Sequence, residues 1–480
     1  MRLFIAAIAA LAMLGLAPAA LAGGPDMLIG ASEDSAQQPS LALAKSQMDL
    51  AKLAGFNAIR LTALWDRGQT AQTVDAAARL KNAIDAAGLN GIHPLVSIYP
   101  RGSSQTPLTD VQRADFAAFA TSVLKENPAV REVIVGNEPN LNRFWLPQFA
   151  DDGSDAAATD FFALLATTYD ALKAADPAVV VGGIGLSPRG GDNPTAARKT
   201  HSPTRFLTDL GLVYRASGRT APIMDELAFH PYEDNSSVDP LTGTHPTNTT
   251  IALADYAKLV ALLGTAFDGT AQLGSTLPIL YDEFGVETKI PAAKAPLYVG
   301  TEAAATLPVD DATQARYYHE AIALAYCQPT VRGILLFHVS DENDLARWQS
   351  GLFYVNGKAK ASLGPVRAAI LSAHGGAIAT CTGGLGLTAT PTVRRVGTSD
   401  GSLRALVRCD LTCDFRLRLE RLPAGSPTVV LPGQAVGGIP IGIDLTKRVR
   451  PGQYRFAVIA WSHQNRGKTT RAVSAPFRIS

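Results

Sequence analysis

Cysteine is scarce in this chain of 480 residues, which holds 4 of them alongside 4 Trp, 5 Met and 8 His. No C-x-x-C unit is present and no histidine stands close to a cysteine, so a structural zinc cluster is not expected. Charge is thin as well, at 18% of residues, and almost balanced at 43 Lys+Arg against 42 Asp+Glu. Such a balance leaves no global basic field to hold nucleic acid. A phosphate-cradling glycine fingerprint is missing too: Gly182-Gly183-Ile184-Gly185 lies within an apolar segment and reads as a close-packing site. Long uncharged apolar runs are absent beyond the N-terminus, which argues against a membrane span. The run that does exist, Leu3 to Leu16, follows Arg2 and precedes Ala20-Leu21-Ala22 and Gly23, the pattern of an export leader over residues 1–22. The mature protein is therefore expected to be secreted.

Apolar residues are plentiful, at 47%, enough for a sizeable core. In an oxidising compartment four cysteines suggest two disulfides, and of the three possible pairings Cys409–Cys413 with Cys327–Cys381 is favoured. The first pair brackets one turn. The second would tie a helix end to the segment where the large domain ends.

Eight segments rich in Val, Ile, Leu and aromatics recur: Met27 to Ala31, Phe56 to Trp65, Ile92 to Tyr99, Val130 to Glu138, Val179 to Leu186, Leu227 to Tyr232, Pro278 to Gly285 and Val331 to Val339. Between them lie stretches of helical periodicity, at Leu41 to Leu53, Thr73 to Ala87, Thr109 to Lys125, Thr159 to Ala174, Ile251 to Leu263 and Asp311 to Ala325. Strands apolar on both faces and alternating with helices predict an α/β fold, a (β/α)8 TIM barrel over residues 23–374. A doubly wound sheet is the alternative. After Ala373 the texture changes to short alternating runs spaced by Gly, Pro and Thr, which predicts a small all-β, immunoglobulin-like sandwich over residues 375–480. Residues 391–480 carry 15 Lys+Arg against 5 Asp+Glu. That surplus either docks this domain on an acidic barrel or holds an anionic cell-surface polymer.

In a parallel barrel, chemistry gathers where strands run into their following loops. Glu132 and Glu226 begin strands and read as structural ion-pair partners, and His93, which also starts its strand, reads as structural. Glu138, in Gly136-Asn137-Glu138-Pro139-Asn140, and Glu283, in Tyr281-Asp282-Glu283-Phe284-Gly285, end theirs. Two carboxylates across one barrel mouth suit glycosidic bond cleavage, which needs a proton for the leaving oxygen and a negative group for the oxocarbenium-like centre. Arg60 supplies a permanent cation to keep a carboxylate ionised. Asn137 is placed to bind a sugar hydroxyl, and His230 and Tyr232 are expected to supply neutral hydrogen-bonding groups. The flat apolar faces of Trp145, Trp348 and the pair Phe353-Tyr354 are candidate outer sugar subsites. Neither a metal nor a cofactor is expected.

These residues carry a resemblance. Gly55-Phe56-Asn57-Ala58-Ile59-Arg60 resembles glycoside hydrolase family 5. Asn137-Glu138-Pro139-Asn140-Leu141 with Phe144-Trp145, Asp176-Pro177 and Val181-Gly182-Gly183 is more similar to family 39. Both belong to the clan of retaining (β/α)8-barrel glycoside hydrolases, and the likeness spans roughly residues 26–372. It implies that Glu138 is the general acid/base and Glu283 the nucleophile of a double displacement at a β-glycosidic bond. Two departures are plain. Family 5 floors its central subsite with a Trp ending strand eight, where this chain has Phe337 and His338, and it carries a His ending strand three, where this chain has Ser97 and Tyr99. The expected partner is a carbohydrate substrate, with no nucleic acid and no membrane. Two other readings remain open: a non-catalytic carbohydrate-binding protein on the same scaffold, and a polysaccharide-docking protein whose basic sandwich is the working part.

Overall fold

The computed structural model describes residues 24, 26–375, 391–396, 403–409, 413–423, 427–435, 440–445, 449–462 and 465–479. The export leader expected at residues 1–22 lies outside them, as does Cys381.

Eight parallel strands close into a barrel: β1 (Leu28–Ser32), β2 (Ala58–Trp65), β3 (His93–Pro100), β4 (Glu132–Val135), β5 (Val180–Leu186), β6 (Glu226–Phe229), β7 (Ile279–Phe284) and β8 (Val331–Leu336). Leu28 to Ala31 pair with Gly333 to Leu336, which joins the last strand to the first and leaves no open edge. The intervening helices are α1 (Leu41–Ala54), α2 (Val74–Leu89), α3 (Asp110–Glu126), α4 (Ala156–Ala175), α5 (Pro203–Ala216), α6 (Tyr256–Phe267), α7 (Asp311–Cys327) and α8 (Leu363–His374).

Helix starts follow local chemistry. Ser40, Thr73, Asp155, Ser202 and Asp310 each accept a backbone N–H three residues on, satisfying a donor that the helix itself leaves free. Thr109 does the same within a reciprocal capping box with Gln112. Helix α5 begins with a proline after Ser202, a legible start signal, but the Gly- and Pro-rich stretch before it hid the helix from a reading based on periodicity.

Inside the barrel Ala58, Leu95, Ile134, Ala228, Leu280 and Leu335 form a separate apolar cluster. They make a dry floor, and two residues further along four of these strands Arg60, Ser97, His230 and Asp282 stand above it. Beneath the floor, at the strand starts, Arg332 bridges Glu226 (Nε to Oε2, 2.7 Å) and Glu132. Both carboxylates are almost fully buried. Burial, then the like charge of Glu132, pushes Glu226 well above the usual carboxylate range despite the arginine. Replacing Arg332 with Ala is expected to cost about 3 to 5 kcal/mol, because both acids lose their shared cation. Glu226 binds its proton more tightly folded than unfolded, so stability falls as pH rises from its unfolded value through its folded one. The deficit is therefore expected to be larger at pH 8 than at pH 5 in thermal melts.

The C-terminal region is a β-sandwich. One sheet holds β9 (Pro391–Val396), β10 (Leu403–Cys409) and β13 (Ile441–Leu445). The other holds β11 (Cys413–Leu422), β12 (Pro427–Ala435), β14 (Gly452–Ser462), β15 (Asn465–Val473) and β16 (Phe477–Ile479). All described pairings in both sheets are antiparallel. Ala405, Val407, Phe415, Leu417, Leu419, Phe456 and Val458 fill the space between the sheets. A disulfide, Cys409–Cys413, joins the end of β10 to the start of β11. Cys327 is disulfide-bonded as well.

Candidate active site

Arg60 organises the barrel mouth. It shares the inward face of β2 with Ala58, two residues earlier, and is 1% exposed. Nη1 donates to Glu283 Oε1 at 2.5 Å and to Ser32 Oγ at 3.1 Å. Nη2 donates to Ser97 Oγ at 3.0 Å and to Asn137 Oδ1 at 3.2 Å, and Nε lies 3.4 Å from Asp282 Oδ2. Burial works against the guanidinium charge, but Asp282 and Glu283 outweigh it and raise Arg60 above its ordinary range. A permanent cation thus sits between two carboxylates from one strand.

That strand breaks the alternation rule. With a period of two, Asp282 and Glu283 would face opposite sides of the sheet. Tyr281 pairs with Ile334 and Phe284 with Leu336, so three steps along β7 match two along β8. One extra residue is accommodated, as in a β-bulge, and both acidic side chains reach the mouth. Glu283 also accepts from the Tyr232 hydroxyl at 3.0 Å. Burial, followed by the charge on Glu283, raises the Tyr232 phenol well above its usual range, so it stays a donor.

Glu138 lies three residues beyond β4, in a left-handed conformation with φ 44°. Its backbone N–H donates to Gly185 O at 2.7 Å, pinning the β4 loop to the end of β5. The approach to this bend requires glycine: at Gly136, φ 107°, a Cβ would stand 2.7 Å from both Ile184 O and the Phe161 ring. Holding a side chain such as Glu138 in this region costs about 1 to 3 kcal/mol, which the surrounding bonds must offset. Asn140 helps, accepting from Ser187 N at 3.1 Å and donating to His201 O at 3.0 Å.

His230 connects the acids. It is fully buried just past β6, with Nδ1 at 3.1 Å from Glu138 Oε1 and 3.5 Å from Glu283 Oε2, and Nε2 at 3.5 Å from Asp282 Oδ1. The Glu138 and Glu283 oxygens are therefore no farther apart than those two distances laid end to end, about 6.6 Å. Burial disfavours an imidazolium, but Glu283 and Asp282, with hydrogen bonds to Asp282 and Glu138, prevail and push His230 up to about 10. The expectation of a neutral histidine is thus corrected: the charges of Glu283 and Asp282, with a hydrogen bond to Glu138, favour the imidazolium. Asp282 is drawn below the usual carboxylate range even though burial opposes that, because His230 and Arg60 flank it.

A cleft of about 640 Å³ opens beside Glu138. Trp348, Tyr232 and Gly285 form part of its wall, with Arg189, Glu233 and Arg198 further along. Trp348 stacks on Tyr232 with centroids 4.9 Å apart and meets Phe337 edge-on at 5.3 Å, so three aromatic rings border the mouth where strand eight lacks a Trp. Trp145 is a correction. It is 2% exposed and packs edge-to-face on Phe161, so it belongs to the core. Phe353 and Tyr354, also expected as subsites, are buried too. Trp348→Ala is expected to change the melting temperature little, whereas Trp145→Ala is expected to cost about 3 to 5 kcal/mol of stability in denaturant melts.

Asn137 has its Oδ1 fixed by Arg60, while its amide nitrogen bonds no described residue. Sequence reading quoted Asp282 but gave it no role, since a bulge leaves no local signature. Arg189, Arg198, Glu233 and Glu287 were also missed. They lie on connecting loops without a motif, and only the cleft reveals them. Among the described residues no three His, Cys, Asp or Glu side chains converge as metal ligands would.

No family model and no curated protein matches the chain. Solved structures do resemble it in chain path. A β-glucuronidase from Bacteroides uniformis is 12% identical, covering 96% of this chain and 47% of its own, with a TM-score of 0.47. An endo-β-1,4-mannanase from Thermotoga petrophila is 11% identical over 95% of this chain and 98% of its own, at 0.45. A glucosidase from Croceicoccus marinus is 15% identical over 88% and 94%, at 0.48. The chain spans about half the length of the β-glucuronidase.

Proposed function

We propose that the chain is a secreted retaining β-glycosidase acting on an oligosaccharide or polysaccharide. One observation carries the reading: Glu138 and Glu283 meet across the barrel mouth at a single imidazole nitrogen, with their nearer oxygens within about 6.6 Å. Carboxyl groups ~5 to 5.5 Å apart serve double displacement, while wider pairs leave room for a water on the far side of the ring.

In the first step a Glu283 oxygen attacks the anomeric carbon as its bond to the leaving oxygen breaks, and Glu138 transfers its proton to that oxygen. A glycosyl ester on Glu283 remains. In the second step Glu138 takes a proton from water, whose oxygen attacks the anomeric carbon and frees the Glu283 carboxylate. Two inversions restore the starting configuration. Esterification removes the Glu283 charge from the pair, which lets one residue act first as acid and then as base. Arg60 and Tyr232 hold Glu283 in line for attack through bonds of 2.5 and 3.0 Å. The His230 imidazolium donates to Glu138 and supports the carboxylate formed when its proton leaves. Asn137 offers its free amide nitrogen to a ring hydroxyl, and Trp348 gives a pyranose an apolar face.

The test is stereochemical. Time-resolved proton NMR of hydrolysis across a β-glycoside panel is expected to show the β-anomer first, before mutarotation. First appearance of the α-anomer excludes double displacement.

A further inference from the structure

The outward face of the larger sandwich sheet has the makings of a second site. Phe415, Leu417 and Leu419 point from β11 into the sandwich core, so Arg416, Arg418 and Glu420 point outward. Strand register sets their neighbours. Arg416 lies between Pro432 and Ile459, with Arg471 beyond, and Arg418 lies between Val430 and Ala457, with Val473 beyond. The Arg416 guanidinium stands 6.0 Å from the centre of the Trp461 ring. Val430 and Val473 are 48% and 47% exposed, so this face is open to solvent.

Its charges are unevenly matched. Glu420 takes Arg455 at 2.9 Å and Arg471 at 2.8 Å. Arg416 and Arg418 have no acidic partner among the described residues, and Arg418 keeps Nε buried without an acceptor. They sit two apart on one strand, about 7 Å from each other. Residues 391–480 as a whole carry 15 Lys+Arg against 5 Asp+Glu, a net positive charge that favours anions.

We propose that this face binds an acidic polysaccharide. Arg416 and Arg418 pair with carboxylates of a uronate chain, and Trp461, Ile459 and Val430 lie along the C–H faces of its rings. The anion site stands on the arginines alone, while a glycan as its occupant rests on the glycosidase reading.

Full-length protein passed over immobilised polygalacturonate is expected to be retained at low salt and released at high salt, with a neutral dextran gel retaining none. The double variant R416A/R418A is expected to bind about ten-fold or more weakly. R416K/R418K should fall between, since lysine keeps the charge but loses the two-pronged fork. All variants should hydrolyse a small aryl glycoside as the parent does, and near-parental β-sheet circular dichroism and thermal melts certify that the sandwich is folded. No retention by the parent, or retention unchanged in R416A/R418A, overturns the proposal. Equal affinity for duplex DNA overturns the glycan assignment. Arginine-dependent retention without hydrolysis of any glycan supports this site and removes the glycosidase reading instead.

Discussion

Glu283→Gln is expected to lower kcat by about ten-thousand-fold or more on every substrate while leaving the fold intact. The amide keeps the shape but cannot form the glycosyl ester; its one oxygen can accept from Arg60 while its NH2 donates to the Tyr232 hydroxyl. Glu138→Gln is expected to behave differently. Loss of the acid costs about 100- to 10,000-fold on a substrate with a poor leaving group, and far less on an activated aryl glycoside whose departing oxygen needs no proton. Steady-state kinetics on a matched pair of substrates reads the contrast. Equal losses at both positions on both substrates would remove the division of roles. A chain that binds a glycan with unchanged affinity in both variants, and never turned it over, would be the non-catalytic binder of the alternative reading.

Asp282→Asn is expected to act at a distance from the reacting bond. Asp282 lies 3.4 Å from Arg60 Nε and 3.5 Å from His230 Nε2. Burial alone would lower the imidazole, and the neighbouring acids are what hold it up at about 10. Removing one of them should lower the pH at which His230 gives up its proton by about one unit or more, a pH profile read from the imidazole NMR signals. The folding consequence has the same direction. His230 has a folded value above its unfolded one, so its contribution to stability is complete below about 6.5 and is lost as pH rises through about 10. In the variant that loss should begin at lower pH. A purely structural role for Asp282 predicts a lower melting temperature with the pH profile unmoved, so profiles and melts together separate the two.

Much of the architecture could be read locally. Apolar segments alternating with helical periodicity mark the eight strands and most helices, since a strand buried on both faces and an amphipathic helix each write a short-range pattern. Boundaries were less legible. Helix α4 starts at Ala156 rather than at Thr159 because Asp155 caps it, and Glu138 stands beyond β4 because Gly136 turns the chain out of the sheet. Rim positions of Arg60, Asn137, His230, Tyr232 and Glu283 could be read from their places at strand ends. Their mutual distances could not.

The order of residues alone placed the eight strands, most of the helices, and Glu138 and Glu283 near strand ends, because periods of two and 3.6 and helix caps act within a few neighbours. Folding in three dimensions decided that Asp282 joins Glu283 at the mouth, that His230 carries charge, and that Trp348 borders the cleft while Trp145 fills the core. Each of those outcomes depends on a bulge, a charge or a packing partner supplied by segments remote in the chain, and such distances exist only once the barrel has closed.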